Sequence, residues 1–291
     1  MIVWLNGKQT EDSAAHIDPA DRGLLLGDGL FETFAVRRGT PLFWEAHLDR
    51  LHRGLKALGF ASPYSSGTLL TAAKELIAAN GLGEAERASL RLTVTRGPGP
   101  RGLLPPETPR PTVLISCGPA AEPPQNIAVI TSAIRRNELS PLANLKALPY
   151  LEQVLAKQEA QAGGADDALM LNTKGKLACA SAANIFLWDS DTLITPPLSD
   201  GCLDGTMRGL VLKAASRAGI TLFEESITPS TVASVGSAFL TNSLVELQTI
   251  GRIDGRSLNP HRRMNELREA VEELTAESLT GSAGRSRNGG A

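Results

Sequence analysis

The proline-rich segment 118–125 is the feature that most constrains how this chain can fold. It carries three prolines in eight residues and separates two stretches that each alternate between strand-like and helix-like segments. Proline lacks the backbone N–H that a helix interior or a central strand needs, so neither element can run through this segment. A chain of 291 residues, 42% of them apolar, can fill two cores of moderate size. We therefore predict two mixed α/β domains, a small one at 1–117 and a larger one at 126–280, joined by a linker at 118–125.

Turn and capping residues mark the elements of the first domain. The strand predicted at Ile2–Leu5 precedes Asn6-Gly7, the dipeptide best suited to the positive φ angles of a tight hairpin. Leucines recur at helical spacing over residues 45–58 and a glycine follows them, which predicts a helix with a glycine C-cap. Residues 18–28 are predicted to be a loop. Further strands or helices are predicted at 30–37, 41–43, 66–80, 89–95 and 112–116.

Hairpins and helices alternate in the second domain. Strands are predicted at 126–132, 168–171, 176–179, 185–188 and 192–195, and helices at 150–161, 205–218 and 264–278. The tail 281–291 contains only Gly, Ser, Ala, Arg and Asn, and is predicted to be disordered.

Charge and composition exclude several classes of function. Acidic and basic residues nearly cancel, to a formal charge of −2, so a small-molecule substrate is expected rather than nucleic acid. The chain lacks a signal-peptide pattern and any stretch near the roughly 18 apolar residues of a membrane span, so we expect a cytoplasmic protein without membrane contact. Three cysteines without CxxC spacing, Cys117, Cys179 and Cys202, indicate reduced thiols. Four histidines without metal-binding spacing predict no metal site.

Two basic residues and one glycine-containing segment could carry chemistry. Lys146 is flanked by leucine and alanine, a setting that lowers the pKa of an amine and suits a Schiff base, although such a lysine can also extend to solvent. Arg50 borders the apolar stripe of its helix, where it could bind a buried anion or pack its stem on the surface. The run 204–208 opens a helix after a loop and could bind a phosphate, unless Asp204 is simply an N-cap.

The order and spacing of several motifs resemble a known family. The motifs are Asp21-Arg22-Gly23, the run 27–33 (GDGLFET), the run 47–51 (HLDRL), Leu145-Lys146 with Tyr150-Leu151-Glu152, Asn184-Ile185-Phe186, Thr195-Pro196 and Gly205-Thr206-Met207-Arg208. Together they resemble the class IV (fold type IV) aminotransferases that depend on pyridoxal 5′-phosphate. That family includes branched-chain and D-amino-acid aminotransferases and aminodeoxychorismate lyase, and the resemblance runs from about residue 2 to about residue 275.

The resemblance implies a fold, a cofactor and an assembly. The fold is the two-domain α/β fold of the D-amino-acid aminotransferase-like proteins, with pyridoxal 5′-phosphate in the cleft between the domains and most of its site in the larger domain. A small amino substrate and a homodimer, in which both subunits shape the sites, are expected. Lys146 matches the lysine that holds the cofactor as an imine and moves protons at the substrate Cα.

Further roles follow from the same resemblance. Arg50 matches the arginine on the cofactor phosphate, and Thr206 and Met207 match main-chain contacts with the same phosphate. Ser243 matches a third contact with this phosphate. Tyr150 is near the position of a tyrosine that often faces the cofactor ring. The remaining substrate-binding candidates are Phe31 and Arg101, the latter resembling the arginine that reads a substrate carboxylate. Glu32 could be offered as a catalytic acid, but a structural salt bridge is at least as expected.

Within the family, several segments are most similar to aminodeoxychorismate lyase. They are Phe31, where D-amino-acid aminotransferases tend to have tyrosine, the loop 96–102, and the runs 181–184 and 241–244. Leu103 stands where those aminotransferases carry a carboxylate-reading histidine. The favoured function is therefore elimination of pyruvate from 4-amino-4-deoxychorismate to give 4-aminobenzoate, a folate precursor. The alternatives are an aminotransferase for D-amino acids, branched-chain amino acids or chiral amines with a 2-oxo acid acceptor, and a protein that binds the cofactor without turnover.

Cys179 departs from the family pattern. It occupies the position of a glutamate that pairs with the pyridine nitrogen of the cofactor, and a neutral thiol would hold that nitrogen weakly. The electron sink should then be weaker, which would favour elimination over transamination. The other interpretations are a deliberate substitution, or a shifted register in which Asp166 or Asp167 supplies the acid. Pro149 stands where asparagine is common, with no assignable consequence.

Overall fold

Contacts divide the chain into two compact units in the computed structural model, which describes residues 1–285. The first unit comprises residues 1–122 together with 145–149. The second unit comprises residues 123–144 and those from 150 onward.

The first unit is built on an antiparallel sheet with strand order β2-β1-β6-β5-β3-β4. Its strands are β1 (Ile2–Leu5), β2 (Lys8–Glu11), β3 (Gly29–Arg37), β4 (Thr40–Pro41), β5 (Ala88–Thr95) and β6 (Thr112–Pro119). Its helices are α1 (Arg22–Leu26), α2 (Trp44–Leu58) and α3 (Ser66–Ala79), and a short 3-10 helix spans Asp12–Ala14.

Local signals explain most of these elements. The β1–β2 hairpin turns at Asn6 and Gly7, whose φ angles are 48° and 94°, and Gly59 ends α2 in the left-handed region at φ 77°. The prediction of a loop over 18–28 was wrong, because Asp21 caps a short helix by accepting from the Gly23 N–H. That helix buries none of its leucines, so it has no apolar periodicity to detect.

Helices α2 and α3 pack their apolar stripes onto one face of this sheet. Leu51 and Leu55 of α2 are each 1% exposed, and they share a core with Phe34 of β3 and Leu90 of β5. Burial of this kind is the main stabilising contribution to a small domain, and it fixes α2 rigidly beside β3.

Segment 145–149 adds a short extended stretch to the first unit. The Phe31 N–H donates to the Lys146 carbonyl, the Leu148 N–H donates to the Gly29 carbonyl, each at 3.0 Å, and Ala147 is buried in the same core. A Cβ on Gly27 would lie 2.7 Å from the Pro149 ring. The sequence predicts this segment inside the second domain, and that was wrong because its backbone pairs with β3.

The second unit is built on a larger mixed sheet with strand order β12-β11-β10-β13-β14-β7-β8-β9, and β15 pairs with β14. Its strands are β7 (Ile127–Arg136), β8 (Asp167–Asn172), β9 (Leu177–Ala180), β10 (Asn184–Asp189), β11 (Thr192–Thr195), β12 (Leu222–Glu224), β13 (Ser237–Thr241), β14 (Gln248–Ile253) and β15 (Arg256–Ser257). Its helices are α4 (Leu151–Ala162), α5 (Thr206–Arg217), α6 (Pro229–Ser234) and α7 (Met264–Arg285), with a 3-10 helix at Leu198–Asp200.

Two predicted boundaries differ from the structure. Strand β6 continues to Pro119 and pairs with Ala88, so the predicted linker at 118–125 begins inside a strand. Helix α7 continues to Arg285 and so includes the start of the predicted tail, whose residues 286–291 lie outside the described residues. Among the described residues, no helix is both long and apolar enough to span a membrane.

Candidate functional site

Lys146 lies beside an aromatic ring and a second cation. Its Nζ is 4.5 Å from the centre of the Phe31 ring, and the Arg91 guanidinium carbon is 3.7 Å from the same centre. Burial lowers the pKa of Lys146 to about 8, and the positive charges of Arg50 and Arg91 act in the same direction against the opposing effect of Glu32. The unprotonated fraction of this amine near neutral pH is therefore far larger than for an ordinary lysine, as a nucleophilic amine requires.

Glu32, His47 and Arg50 form a buried cluster between β3 and α2. Arg50 donates from Nε and Nη2 to the two carboxylate oxygens of Glu32, at 2.8 and 2.6 Å, and His47 Nδ1 lies 2.7 Å from Glu32 Oε2. Burial would raise the pKa of Glu32, but the hydrogen bonds from Arg50 and His47 lower it to about 2. Burial also lowers the pKa of His47, which favours the neutral imidazole. Because the ionised Glu32 carboxylate can only accept, His47 donates its Nδ1–H to it.

This cluster bears on two predictions. Glu32 forms a salt bridge, as predicted, and is not positioned as a free acid. Arg50 does bind a buried anion, but that anion is Glu32. Because Glu32 fixes the guanidinium plane, the predicted contact of Arg50 with a cofactor phosphate would come from a pre-oriented side chain.

A second group of predicted residues gathers where α5 begins. Gly205 is the N-cap of α5, and no side-chain hydrogen bond caps this end, so the interpretation of Asp204 as the N-cap was wrong. A Cβ on Gly205 would lie 2.1 Å from the Asn184 Oδ1, so only glycine allows the helix start to approach β10 this closely. The main-chain N–H groups of Thr206 and Met207 belong to this first turn, where a helix attracts anions.

Thr241 completes this group, and sequence reasoning did not single it out. It pairs with Asn184 across β13 and β10, is fully buried, and its Oγ1 has no hydrogen-bond partner among the described residues. A buried hydroxyl without a partner is costly, and an anion at the helix start would satisfy it. Ser243 follows two residues later and is half-buried. A phosphate would fit this group. It consists of the start of α5, Gly205 beside Asn184, and the Thr241 hydroxyl that has no partner within residues 1–285.

Cys179 is a buried, neutral thiol in β9. It is 8% exposed, pairs with Met170 of β8, and packs in a cluster that also contains Cys202. Burial raises the pKa of Cys179 to about 11, against the lowering effect of Arg136. The thiol therefore stays protonated at neutral pH.

The two aspartates considered as substitutes for a glutamate at 179 have other contacts. Asp167 Oδ1 accepts from the Ser181 hydroxyl at 2.5 Å and from the Ala168 N–H at 2.7 Å. Asp166 is exposed, and its Oδ2 accepts from the Ala128 N–H at 2.8 Å. Both carboxylates therefore have structural hydrogen bonds of their own.

Three further residues complete the placement of the predicted site. Tyr150 is half-buried at the N-cap of α4, in the second unit. Arg101 is exposed and has no hydrogen-bond or ion-pair partner among the described residues, so it does not join the Lys146 group.

Arg91 does belong to the Lys146 group, although it was not predicted from the sequence. Strand register could have found it, because Thr33 pairs with Arg91 and puts it diagonal to Phe31 on one face of the sheet.

Comparisons with known proteins agree on one family. Residues 29–253 match the family described as amino-transferase class IV. A Methanocaldococcus jannaschii protein provisionally named branched-chain-amino-acid aminotransferase is 33% identical over 94% of each chain. The crystal structure of a branched-chain aminotransferase from Thermoproteus uzoniensis with norvaline has a TM-score of 0.88 and 29% identity, covering 96% of this chain and 95% of that one. The crystal structure of 4-amino-4-deoxychorismate lyase from Pseudomonas aeruginosa has a TM-score of 0.82 and 31% identity, covering 93% and 98%.

Proposed function

Because this chain belongs to the class IV aminotransferases, we propose that it moves the amino group of an amino acid to a 2-oxo acid acceptor. The aminotransferase is supported better than the lyase favoured by the sequence motifs. The relative named as a branched-chain aminotransferase is 33% identical and the branched-chain aminotransferase structure has a TM-score of 0.88, against 31% and 0.82 for the lyase structure. A branched-chain amino acid is accordingly the donor to test first.

The cofactor is pyridoxal 5′-phosphate, which class IV aminotransferases use. When bound, it supplies an aldehyde that condenses with amines and a ring that accepts electron density from carbon. The residues present fit it, since Lys146 offers an amine of lowered pKa and the start of α5 with Thr241 fits a phosphate. We assign the phosphate to Arg50, Ser243 and the main chain of Thr206 and Met207.

Lys146 is the observation that carries this proposal. An amine with a pKa of about 8 can be unprotonated to hold the cofactor, and then take up and return a proton at the substrate Cα. Arg91, on the same Phe31 ring, attracts anionic substrates toward this amine. Arg101 keeps its predicted role as the reader of a substrate carboxylate, and Tyr150 its predicted place near the cofactor ring.

The lyase is the second candidate. It is supported by the Pseudomonas aeruginosa lyase structure at 31% identity and by Phe31 in place of the tyrosine typical of D-amino-acid aminotransferases. The neutral thiol at Cys179 also favours a reaction that depends less on a protonated cofactor ring.

A half-reaction experiment separates these functions. The purified holoenzyme is mixed, without acceptor, with L-leucine, L-valine, D-alanine or 4-amino-4-deoxychorismate, while absorbance and products are followed. An aminotransferase leaves pyridoxamine 5′-phosphate and a stoichiometric amount of 2-oxo acid. A lyase releases pyruvate and 4-aminobenzoate and retains pyridoxal 5′-phosphate, which would overturn the proposal. The Lys146→Arg variant serves as the control, and a protein that responds to no amine would favour binding without turnover.

A homodimer is the proposed assembly. In the first unit, Leu24 and Leu25 are each more than half exposed, and in the second unit Leu151, Val154 and Leu155 lie exposed at helical spacing on α4. Large exposed apolar surfaces of this kind are typical of protein–protein interfaces. Analytical ultracentrifugation of the holoenzyme tests the assignment, and a monomer at micromolar concentration would contradict it.

A further inference from the structure

Arg22 binds the loop between β5 and β6 with its two Nη groups and binds Asp28 with its Nε. Its side chain is 5% exposed, and its Nε donates to Asp28 Oδ2 at 2.8 Å. The two Nη groups donate to three consecutive carbonyls, those of Gly102 at 3.1 Å, Leu103 at 2.8 Å and Leu104 at 3.3 Å.

Neighbouring contacts fix the base of the same loop. The Arg22 N–H donates to the Gly97 carbonyl at 2.9 Å, and a Cβ on Gly99 would lie 2.9 Å from the Arg22 side chain. Arg96 donates to the same Asp28 oxygen at 2.7 Å and anchors itself on the Leu58 carbonyl instead of the loop. Within residues 1–285, Arg22 is thus the side chain that donates hydrogen bonds to the far part of the loop, residues 102–104.

The direction of the loop side chains follows from these bonds. Because three successive carbonyls turn inward to one guanidinium, the intervening side chains turn outward, and Leu103 and Leu104 are 82% and 83% exposed. Two exposed leucines give the loop no hydrophobic reason to hold this conformation. The conformation of residues 102–104 therefore depends on Arg22.

We propose that Arg22 is a positioning residue that holds residues 102–104, directly after Arg101, in one conformation and thereby directs Arg101 toward the substrate carboxylate. The inference rests on the proposed function in assigning that role to Arg101. Asp28 supports this role of Arg22, because it neutralises the buried guanidinium and keeps Nη1 and Nη2 turned to the loop. Lysine could replace the charge of Arg22 but not its planar set of donors to three carbonyls.

Limited proteolysis tests the loop without using activity. Trypsin can cut the Arg101–Gly102 bond only when the loop opens, so cleavage in the parent holoenzyme should be slow. In Arg22→Gln and Arg22→Lys, cleavage at this bond should accelerate by about tenfold or more, because more than one net hydrogen bond is lost. Arg22→Lys covers the case in which Arg22→Gln fails to fold.

Steady-state kinetics then link the loop to the substrate. Arg22→Lys should raise KM for the amino acid about tenfold and change kcat by less than about twofold, because a carboxylate contact is weakened while Lys146 is untouched. In an Arg101→Gln background the same change should have no further effect on KM, since residues that act through one another are not additive.

Arg96→Gln is the matched control. It breaks a bond to the same oxygen of Asp28 and lowers stability, but it should leave trypsin cleavage at Arg101 and KM as in the parent. Equal cleavage rates in parent and Arg22→Lys would overturn the proposal, as would an additive double variant. If Arg101→Gln alone leaves KM unchanged, the assigned role of Arg101 in the proposed function fails, while the cleavage rates still decide whether Arg22 holds the loop.

Discussion

Arg50 binds both oxygens of the Glu32 carboxylate, with Nε at 2.8 Å and Nη2 at 2.6 Å. Glu32 is 1% exposed, so neither partner can exchange the other for water. A buried ion pair contributes little net stability compared with an apolar pair, but removing one partner leaves an uncompensated charge. The pair therefore serves to orient Arg50, and it makes both residues sensitive to substitution.

Glu32→Gln should destabilise the apoprotein by about 3 kcal/mol, because it leaves the Arg50 charge buried without its anion. Urea unfolding measures the change. Glu86→Gln is the matched control, since it removes the partner of Arg38 in an exposed pair, where no measurable loss is expected. Equal effects of the two substitutions would contradict the prediction.

The same ion pair predicts that the unfolding free energy depends on pH in the acidic range. The pKa of Glu32 falls from its ordinary 4.5 to about 2 on folding, so the folded protein binds fewer protons than the unfolded chain between these values. The stability from Glu32 is thus fully present above about pH 4.5 and is lost as the pH falls toward 2. The difference in unfolding free energy between parent and Glu32→Gln should be constant from pH 6 to 5 and shrink below that. A constant difference down to pH 2.5 would show that the ionised carboxylate is not the cause.

Lys146 predicts that the unfolding free energy also rises with pH in the alkaline range. Its pKa falls from 10.5 to about 8 on folding, so between these values the unfolded chain binds more protons and stability rises with pH. Lys146→Met should therefore make the apoprotein more stable than the parent at pH 7, and this advantage should vanish by about pH 10.5. Thermal unfolding of the two apoproteins across this range measures it. Lys74→Met, at an exposed position of α3, is the control, and an advantage of Lys146→Met that persists above pH 10.5 would indicate packing instead.

Cys179→Glu tests the predicted contact with the cofactor ring. A carboxylate there should keep the ring nitrogen protonated and speed the half-reaction with an amino acid, whereas Cys179→Ser should behave as the parent because it also lacks a charge. Stopped-flow absorbance of the holoenzymes measures the rates, and circular dichroism checks that glutamate is accommodated in this packed cluster. Equal half-reaction rates for glutamate and cysteine would remove Cys179 from the site.

The helices and strands were predicted from local sequence patterns. Helix α2 could be predicted because its leucines recur at helical spacing and Gly59 ends it, and the α5 start because a glycine-containing loop opens a helix. Both signals act within a few residues of the chain. Lys146 and Arg50 were found from their apolar neighbours and from the family motifs.

Long-range pairing explains what the sequence did not reveal. Residues 145–149 join the first unit through hydrogen bonds to β3, more than a hundred residues away, and no local pattern encodes that register. Arg91 needed the β3–β5 register to be placed beside Phe31. The Thr241 hydroxyl could be recognised as buried and without a partner only from the packing of β13, a strand that was not predicted from the sequence.

Thr241→Val should separate the stability of the apoprotein from its affinity for the cofactor. Valine has the shape of threonine but no hydroxyl, so it removes a buried polar group without a partner and should stabilise the apoprotein by about 1 kcal/mol. It also removes a donor to the phosphate, so the Kd for pyridoxal 5′-phosphate should rise about tenfold. Thermal unfolding of the apoprotein and cofactor titration followed by absorbance measure the two effects. Thr241→Ser keeps the hydroxyl and should keep the parent Kd; if valine lowers stability and leaves the Kd unchanged, the hydroxyl has a partner within the fold and does not face the phosphate.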